Sequence, residues 1–505
     1  MEGRFHSTTP TASSPSVTAI AAPPPPGGGG MITGRPMPLL TNPRLRLPLL
    51  IIVAIAARAL TFGNPVVHVD EEFYYVTGTA LWHGLLPFVD VWDRKPVGLF
   101  LLYALPAGLG FPAGIWAYQA MALASLIATA ALVARLATRA GFAAGATASA
   151  LAYVLWFDLL GGQGGQSPVF YNLLMIGAAL LALHGTRRAG LAAMALVGVA
   201  LQIKYSVVFE GLFLGLWLLA DDWRTRKSPG GLIGYGIALV ALAMLPTALA
   251  AVAYAAIGQW DAFVYANFLS IFHRNPDPLG ELARNLGQIV LVISPIVAIA
   301  ILALHRSAMT RTRRFVALWL AVSIAGVIVF RPWFDHYSLP VLLPACAAAA
   351  GLLGRDDWQR WRTPALLLTA ALAGQIVVAV QRDGRGQPRQ FAQLTAAVGR
   401  GAGCLYVYSG NPMLYAATGR CMLSRYVFGS HLNRRREAGA IGIDQDTEIR
   451  RILAARPAVV VMRPPYGGER PEARAAVMAA MAADYALAAA LPMGNETISV
   501  YKRLR

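Results

Sequence analysis

Charge is scarce in this chain. Of its 505 residues only 13% are Asp, Glu, Lys or Arg, while 56% are hydrophobic and the mean hydropathy is +0.52, a balance that excludes an ordinary soluble enzyme. Cysteine is scarcer still. Cys346, Cys404 and Cys421 are too few for a disulfide-dense scaffold, and none stands in a Cys-x-x-Cys zinc spacing. The eight histidines form no His-x-x-x-His or His-Glu-x-x-His pair, so a divalent cation would have to rest on carboxylates alone. No redox cofactor is suggested. The glycines of GGQGGQSP follow no strand and precede no Lys-Ser/Thr, which excludes a dinucleotide fingerprint and a P-loop. There is no solenoid-period repeat and no visible cleavable signal peptide.

What is present is apolar sequence in long runs. A bilayer core about 30 Å thick takes roughly 20 apolar residues per helix. Candidate spans fall near residues 47–63, 113–134, 141–158, 168–184, 189–204, 206–220, 231–257, 286–304, 315–330, 338–353 and 363–381. That is about eleven transmembrane helices in a polytopic α-helical membrane protein, and 189–220 also reads as one long kinked helix. Residues 1–46 are Pro-, Gly-, Ser- and Thr-rich and read as a disordered cytoplasmic tail, with Met31 opening a more ordinary membrane-protein start.

Lys and Arg outnumber Asp and Glu 43 to 25, a formal charge of +18. With the amino terminus inside, sixteen basic residues fall in inner loops, against Arg94, Lys95, Lys204, Arg274, Arg284 and Arg331 in outer ones. The excess is therefore a topology signal and does not imply nucleic acid. An odd number of spans leaves residues 383–505 outside the cytoplasm. There, 404–408, 458–462 and 497–501 read as strands and 444–456 and 471–483 as helices, a small extracytoplasmic α/β domain. Cys404 and Cys421 lie in it, seventeen residues apart, either bonded in an oxidising compartment or two buried thiols. Cys346 sits in an apolar run as a buried free thiol.

The chemistry concentrates in the outer loops. Residues 64–112 form a long, acidic and aromatic first loop that opens with Asp70, Glu71 and Glu72 at the membrane surface. Residues 71–83 place Phe73, Val76, Ala80 and Leu81 on one side, the spacing of a helix lying in the interface. Asp158 closes the third span. Lys204 stands in the apolar setting VALQIKYSVVF, where an unpaired ammonium needs a cavity or an anion. Arg331, His336 and Tyr337 fall in RPWFDHYSLP, where a salt bridge to Asp335 is the plain structural alternative. Carboxylates and cations at one membrane face suit chemistry on a lipid-borne phosphate: a carboxylate takes the acceptor's proton while Lys and Arg hold the phosphate.

These residues, in this order, resemble a known family. A DE pair after the first span, then GLLPFVDVWDRKPVGLFLLYALP, a Lys-Tyr in a later span and RPWFDHYSLPVLLP are similar to bacterial GT-C glycosyltransferases of the family 39 type, relatives of protein O-mannosyltransferases and lipid A aminoarabinose transferases. The likeness covers residues 47–355. It implies a GT-C transmembrane catalytic domain over 47–382 in a bacterial inner membrane. The reaction it implies is inverting transfer of a sugar from a polyprenyl-phosphate donor to a cell-envelope acceptor on the outer face. By position, Asp70 matches the catalytic acidic position of the DE motif with Glu71 as its partner, and Asp158 resembles the second acidic residue. Lys95 stands in a Lys-Pro-Pro motif whose second Pro is here Val97. Arg94, Lys204, Arg331, His336 and Tyr337 fall where the family keeps groups near the donor phosphate. The carboxy-terminal segment is similar to the soluble tail of many bacterial members. Lipid A, lipopolysaccharide core, a capsule or O-antigen unit and a protein Ser/Thr all remain open as acceptors. The rival readings are a lipid or sugar transporter or flippase, which would show inverted repeats, and a non-catalytic assembly subunit, which would not need the DE motif.

Overall fold

A computed structural model describes residues 38–504, so residues 1–37 of the expected tail lie outside the described residues; the rest of that segment holds a short helix, Pro38–Thr41, and a single turn, Pro43–Leu45. Each of the eleven candidate spans falls on a helix. In chain order the longer helices of this part are α1 (Arg46–Arg58), α2 (Val69–Trp82), α3 (Val97–Ala107), α4 (Ala113–Arg139), α5 (Ala146–Leu159), α6 (Ser167–Ala182), α7 (Arg187–Leu201), α8 (Val208–Arg226), α9 (Pro229–Ala256), α10 (Leu279–His305), α11 (Arg311–Val329), α12 (Leu342–Leu353) and α13 (Arg362–Arg385). Six stretches are long and apolar enough to cross a membrane among the described residues: α4, α9, α10, α11, Asp335–Leu353 and Arg362–Val398. At 1.5 Å per residue, the 28 residues of α9 extend about 42 Å, more than a hydrocarbon core. Its exposed Ile233, Ile237, Val240 and Met244 form a side suited to lipid.

The 189–220 segment is two helices. The chain unwinds between α7 and α8, where Lys204 takes an extended conformation. An ammonium in the middle of a continuous apolar helix would be stranded, and the break carries it instead to the wall of a cavity.

The loop over residues 64–112 is more ordered than its sequence announces. The ring Nδ1 of His68 accepts the backbone N–H of Asp70, capping α2, and three carboxylates follow in the first turn, where the helix dipole favours negative charge. The interfacial helix expected over 71–83 is instead buried on nearly every side: Glu71 to Gly78 and Ala80 are all covered. The cause is packing against α3 and against the C-terminal domain, whose Phe428 ring lies 5.4 Å from that of Phe73. Gly78 makes the approach of α3 possible, since a Cβ there would come within 2.7 Å of the Tyr103 backbone.

Beyond α13 come α14 (Pro388–Val398), β1 (Leu405–Val407), α15 (Met413–Thr418), α16 (Gln445–Ala454), β2 (Val459–Met462), α17 (Pro471–Asp484), β3 (Tyr485–Met493) and β4 (Glu496–Arg503). The sheet order is β1-β2-β4-β3, with β1 and β2 parallel and the remaining pairs antiparallel; Tyr406 lies beside Val460, and Val460 beside Tyr501. The all-buried VVVM of β2 is its centre. β3 was not legible: its Ala-rich sequence has little strand propensity, and pairing with β4 overrides that. A disulfide joins Cys404 to Cys421 beside the start of β1, and Cys346 is free and buried in α12.

Candidate functional site

A cavity of about 640 Å³ opens where the 64–112 loop, the α7–α8 break, the α11–α12 connection and the C-terminal domain meet. Asp70, Tyr74, Asp93, Arg94 and Lys95 come from the first loop, Lys204 from the break, and Arg274 and Asp277 from the segment before α10. Arg331, His336 and Tyr337 come from the α11–α12 connection, and Phe428, His431, Arg436 and Glu437 from the C-terminal domain. The lining also holds an apolar group, Phe209, Val322, Val327 and Phe330, with the Phe209 and Phe330 rings 5.2 Å apart and the buried Glu210 beside Phe209 in sequence. Charged and apolar walls in one cavity suit a lipid with a charged headgroup.

Asp70 lines the cavity beside Lys95. One oxygen lies 3.8 Å from the Lys95 ammonium, and the other accepts from Gln166 Nε2 at 3.4 Å. Burial pushes its pKa up, but the Lys95 charge and the neighbouring His68 and His336 outweigh burial and hold it well below the usual carboxylate range. His68 itself is pushed down to about 3 by burial and the nearby Arg385, so at neutral pH it is uncharged and Lys95 supplies the field. Its Nδ1 already accepts the Asp70 N–H, which leaves the proton on Nε2. Lys95 also meets Asp93 at 3.0 Å; burial lowers its pKa, and the two carboxylates more than restore it, to about 12.

The other cations differ in how much of them is free. Lys204 has no ion pair among the described residues, and its Nζ sits 4.2 Å over the Tyr337 ring. Arg331 lies 5.2 Å over Trp333, while Asp335 pairs with His336 at 3.3 Å and Arg331 has no ion pair among the described residues. Arg94 is engaged on every nitrogen: Nε donates to Ser270 Oγ at 2.9 Å, Nη1 to Glu437 at 2.6 Å and Nη2 to the Ala440 carbonyl at 3.2 Å. It shapes the wall, with three of its five N–H groups already committed to the protein.

Glu71 and Asp158, expected beside Asp70 as catalytic groups, do not line the cavity. One residue along a helix turns the side chain by about 100°, and Glu71 faces inward. Its carboxylate accepts from Tyr118 OH at 3.3 Å and packs against Gly164, where a Cβ would come within 2.2 Å of it. Burial pushes its pKa up to about 7. Asp158 lies on the same hidden side. Both are within electrostatic reach of the fully buried Arg58, which donates to the Gly162 carbonyl at 2.5 Å and the Gly164 carbonyl at 3.0 Å. This buried trio anchors the GGQGG turn behind the site. Glu72 holds the C-terminal domain, accepting from Asn411 Nδ2 at 3.1 Å and the Met413 N–H at 3.3 Å, and burial pushes it up to about 8.

Several site residues were missed. Asp93 precedes two of the expected cations in WDRKP, and its neighbours were the signal. Arg274 was counted only as loop charge. Arg436, Glu437 and His431 reach the cavity from a separate domain, which no local pattern shows. Among the described residues no group of three His, Cys, Asp or Glu is arranged to hold a metal ion.

No family model matches this sequence, and no curated protein does. Solved structures match its fold. ArnT from Cupriavidus metallidurans bound to undecaprenyl phosphate is 14% identical, with a TM-score of 0.60 over 90% of this chain and 97% of that one. The same protein in its apo state gives 0.58 at 14% identity over the same shares. The chain has an ArnT-like fold, the architecture its GT-C resemblance implied.

Proposed function

We propose that this protein is an inverting glycosyltransferase that moves a sugar from a polyprenyl-phosphate donor to an acceptor of the cell envelope, on the outer face of a bacterial inner membrane. The observation that carries the reading is one cavity in which an ionised carboxylate, Asp70, stands among Lys95, Lys204, Arg274 and Arg331 in a lining that is also partly apolar. The ArnT-like fold, seen elsewhere with undecaprenyl phosphate bound, supports the donor class. The charge split of the loops supports an inside amino terminus and an outside C-terminal domain over 383–505.

The acceptor's O–H or N–H gives its proton to Asp70 as the oxygen or nitrogen attacks the anomeric carbon, on the face opposite the phosphate. The bond from that carbon to the phosphate oxygen breaks, and its electron pair leaves with the polyprenyl phosphate. The departing phosphate goes from a singly charged diester towards a doubly charged monoester, so cations hold it more tightly as the bond breaks. Lys95 links the two halves. Donor phosphate draws on the ammonium that suppresses the basicity of Asp70, so the base strengthens when the donor is in place. Glu71, Asp158 and Arg58 keep the backbone behind Asp70 fixed. Lipid A, an envelope polysaccharide and a protein remain the acceptor classes, and the C-terminal domain beside the cavity is placed to choose among them. The test is release of polyprenyl phosphate from a polyprenyl-phosphate sugar by the purified protein with envelope acceptors. A reporter fused after the last residue that works only in the cytoplasm would overturn the orientation.

A further inference from the structure

The C-terminal domain does more than lie beside the cavity. Its segment 425–440 is tied to two loops at once. The Trp92 N–H donates to the Arg425 carbonyl at 2.9 Å, and Trp92 meets His431 edge-on at 4.7 Å. From the loop before α10, the Asn275 N–H donates to the Arg436 carbonyl at 3.0 Å, and its side-chain amide donates to the carbonyls of Arg435 and Ala438. At the centre stands Glu437. Oε2 takes Arg94 Nη1 at 2.6 Å, and Oε1 lies 3.0 Å from Arg274 Nε. Arg436 lies 4.0 Å from Oε1 and turns instead to Asp277 at 3.3 Å.

The two arginines that Glu437 holds are left in different states. Arg94 has a partner on all three nitrogens, so it serves as the strut that fixes Glu437. Arg274 is held through Nε alone, off hydrogen-bond geometry, and neither of its terminal nitrogens has a partner among the described residues. Its side chain is 20% exposed and lines the cavity. A guanidinium gripped at its inner nitrogen presents its outer edge, the edge that matches a phosphate with two parallel hydrogen bonds.

We infer that Glu437 is a positioning residue for the donor: the C-terminal domain, through this one carboxylate, aims the outer edge of Arg274 at the donor phosphate. This deepens the glycosyltransferase reading and rests on its polyprenyl-phosphate donor. It assigns the domain a part in donor binding, in addition to the acceptor choice proposed above. Without Glu437 the Arg274 side chain regains its rotamers, and repulsion from Arg94 and Arg436 pushes it off the cavity wall.

The test is a double-mutant cycle on undecaprenyl phosphate binding to the full-length protein in lipid nanodiscs. Glu437→Gln and Arg274→Met are each expected to weaken binding about tenfold, the scale on which losing an outer-shell partner loosens a site. Glu437→Gln on top of Arg274→Met is expected to add nothing, because its effect runs through Arg274. Glu437→Asp keeps the charge and is expected to stay within about threefold of wild type. If Glu437→Gln does not insert, Glu437→Asp is carried through the same cycle and must again add nothing to Arg274→Met. Independent effects that multiply in the double variant, or unchanged affinity in Glu437→Gln, would overturn the inference and leave the donor reading standing. Wild-type protein that binds no undecaprenyl phosphate would overturn the donor reading, and this inference with it.

Discussion

Asp70→Asn is the substitution that separates chemistry from architecture most cleanly. Asn is nearly isosteric, and the structure supplies reasons for it to fold. The His68 cap uses the backbone N–H of residue 70, which the change leaves in place. Lys95 loses a partner at 3.8 Å but keeps Asp93 at 3.0 Å, so no ammonium is stranded. The stability lost is one negative charge in the first turn of α2, about 0.3–1 kcal/mol. The catalytic loss is larger. General-base help contributes roughly 10²–10⁴ in rate, or about 3–5 kcal/mol of barrier. Donor affinity is expected to hold or tighten, because a carboxylate beside the phosphate repels it, so the loss falls in kcat. Purified variant and wild type are compared for sugar transfer and for thermal unfolding. Transfer by Asp70→Asn at the wild-type rate, with the protein intact, would refute the assignment of the base.

Three further outcomes follow from the same geometry. Lys204→Met is expected to weaken undecaprenyl phosphate binding without lowering Tm, because it removes a charge with no ion pair among the described residues; unchanged affinity would make Lys204 a structural group. Replacing Cys404 and Cys421 by Ser opens a loop with a sequence separation of 17 and is expected to cost about 3 kcal/mol; non-reduced peptides with both thiols alkylated would contradict the bond. Glu72, at about 8 in the fold against an ordinary 4.5, holds a proton that the unfolded chain releases, so its share of stability is full below pH 4.5 and lost as pH rises through 8. Glu72→Gln is therefore expected to raise Tm at pH 8.5 and to match wild type at pH 4.5, and a Tm difference independent of pH would refute it.

The helical part of the fold was legible because lipid imposes long apolar runs, and even the break at Lys204 was marked by a charge that such a run cannot hold. The short α3, inside a Gly- and Pro-rich loop, fell below the length that signals a span. β3 carried an Ala-rich sequence whose strand form depends on β4. At the site, Asp70, Arg94, Lys95, Lys204, Arg331, His336 and Tyr337 come to one cavity, as charges at the ends of apolar runs must find water or a counter-charge. Which of them is free was not legible. Arg94 and Arg274 look alike in sequence, and only the position of Glu437, more than 150 residues away, makes one a strut and leaves the other open. Glu71 and Asp158 were placed with Asp70 by motif, yet helix rotation and the buried Arg58 take them behind it.

The most direct measurement follows undecaprenyl phosphate by mass spectrometry when the purified protein meets an undecaprenyl-phosphate sugar and envelope fractions from cells lacking this protein. The account predicts release of undecaprenyl phosphate that requires the acceptor fraction, places the sugar on an envelope component with inverted configuration, and disappears in Asp70→Asn. Tight binding of the donor without release, with every envelope fraction supplied, would mark a carrier and contradict it.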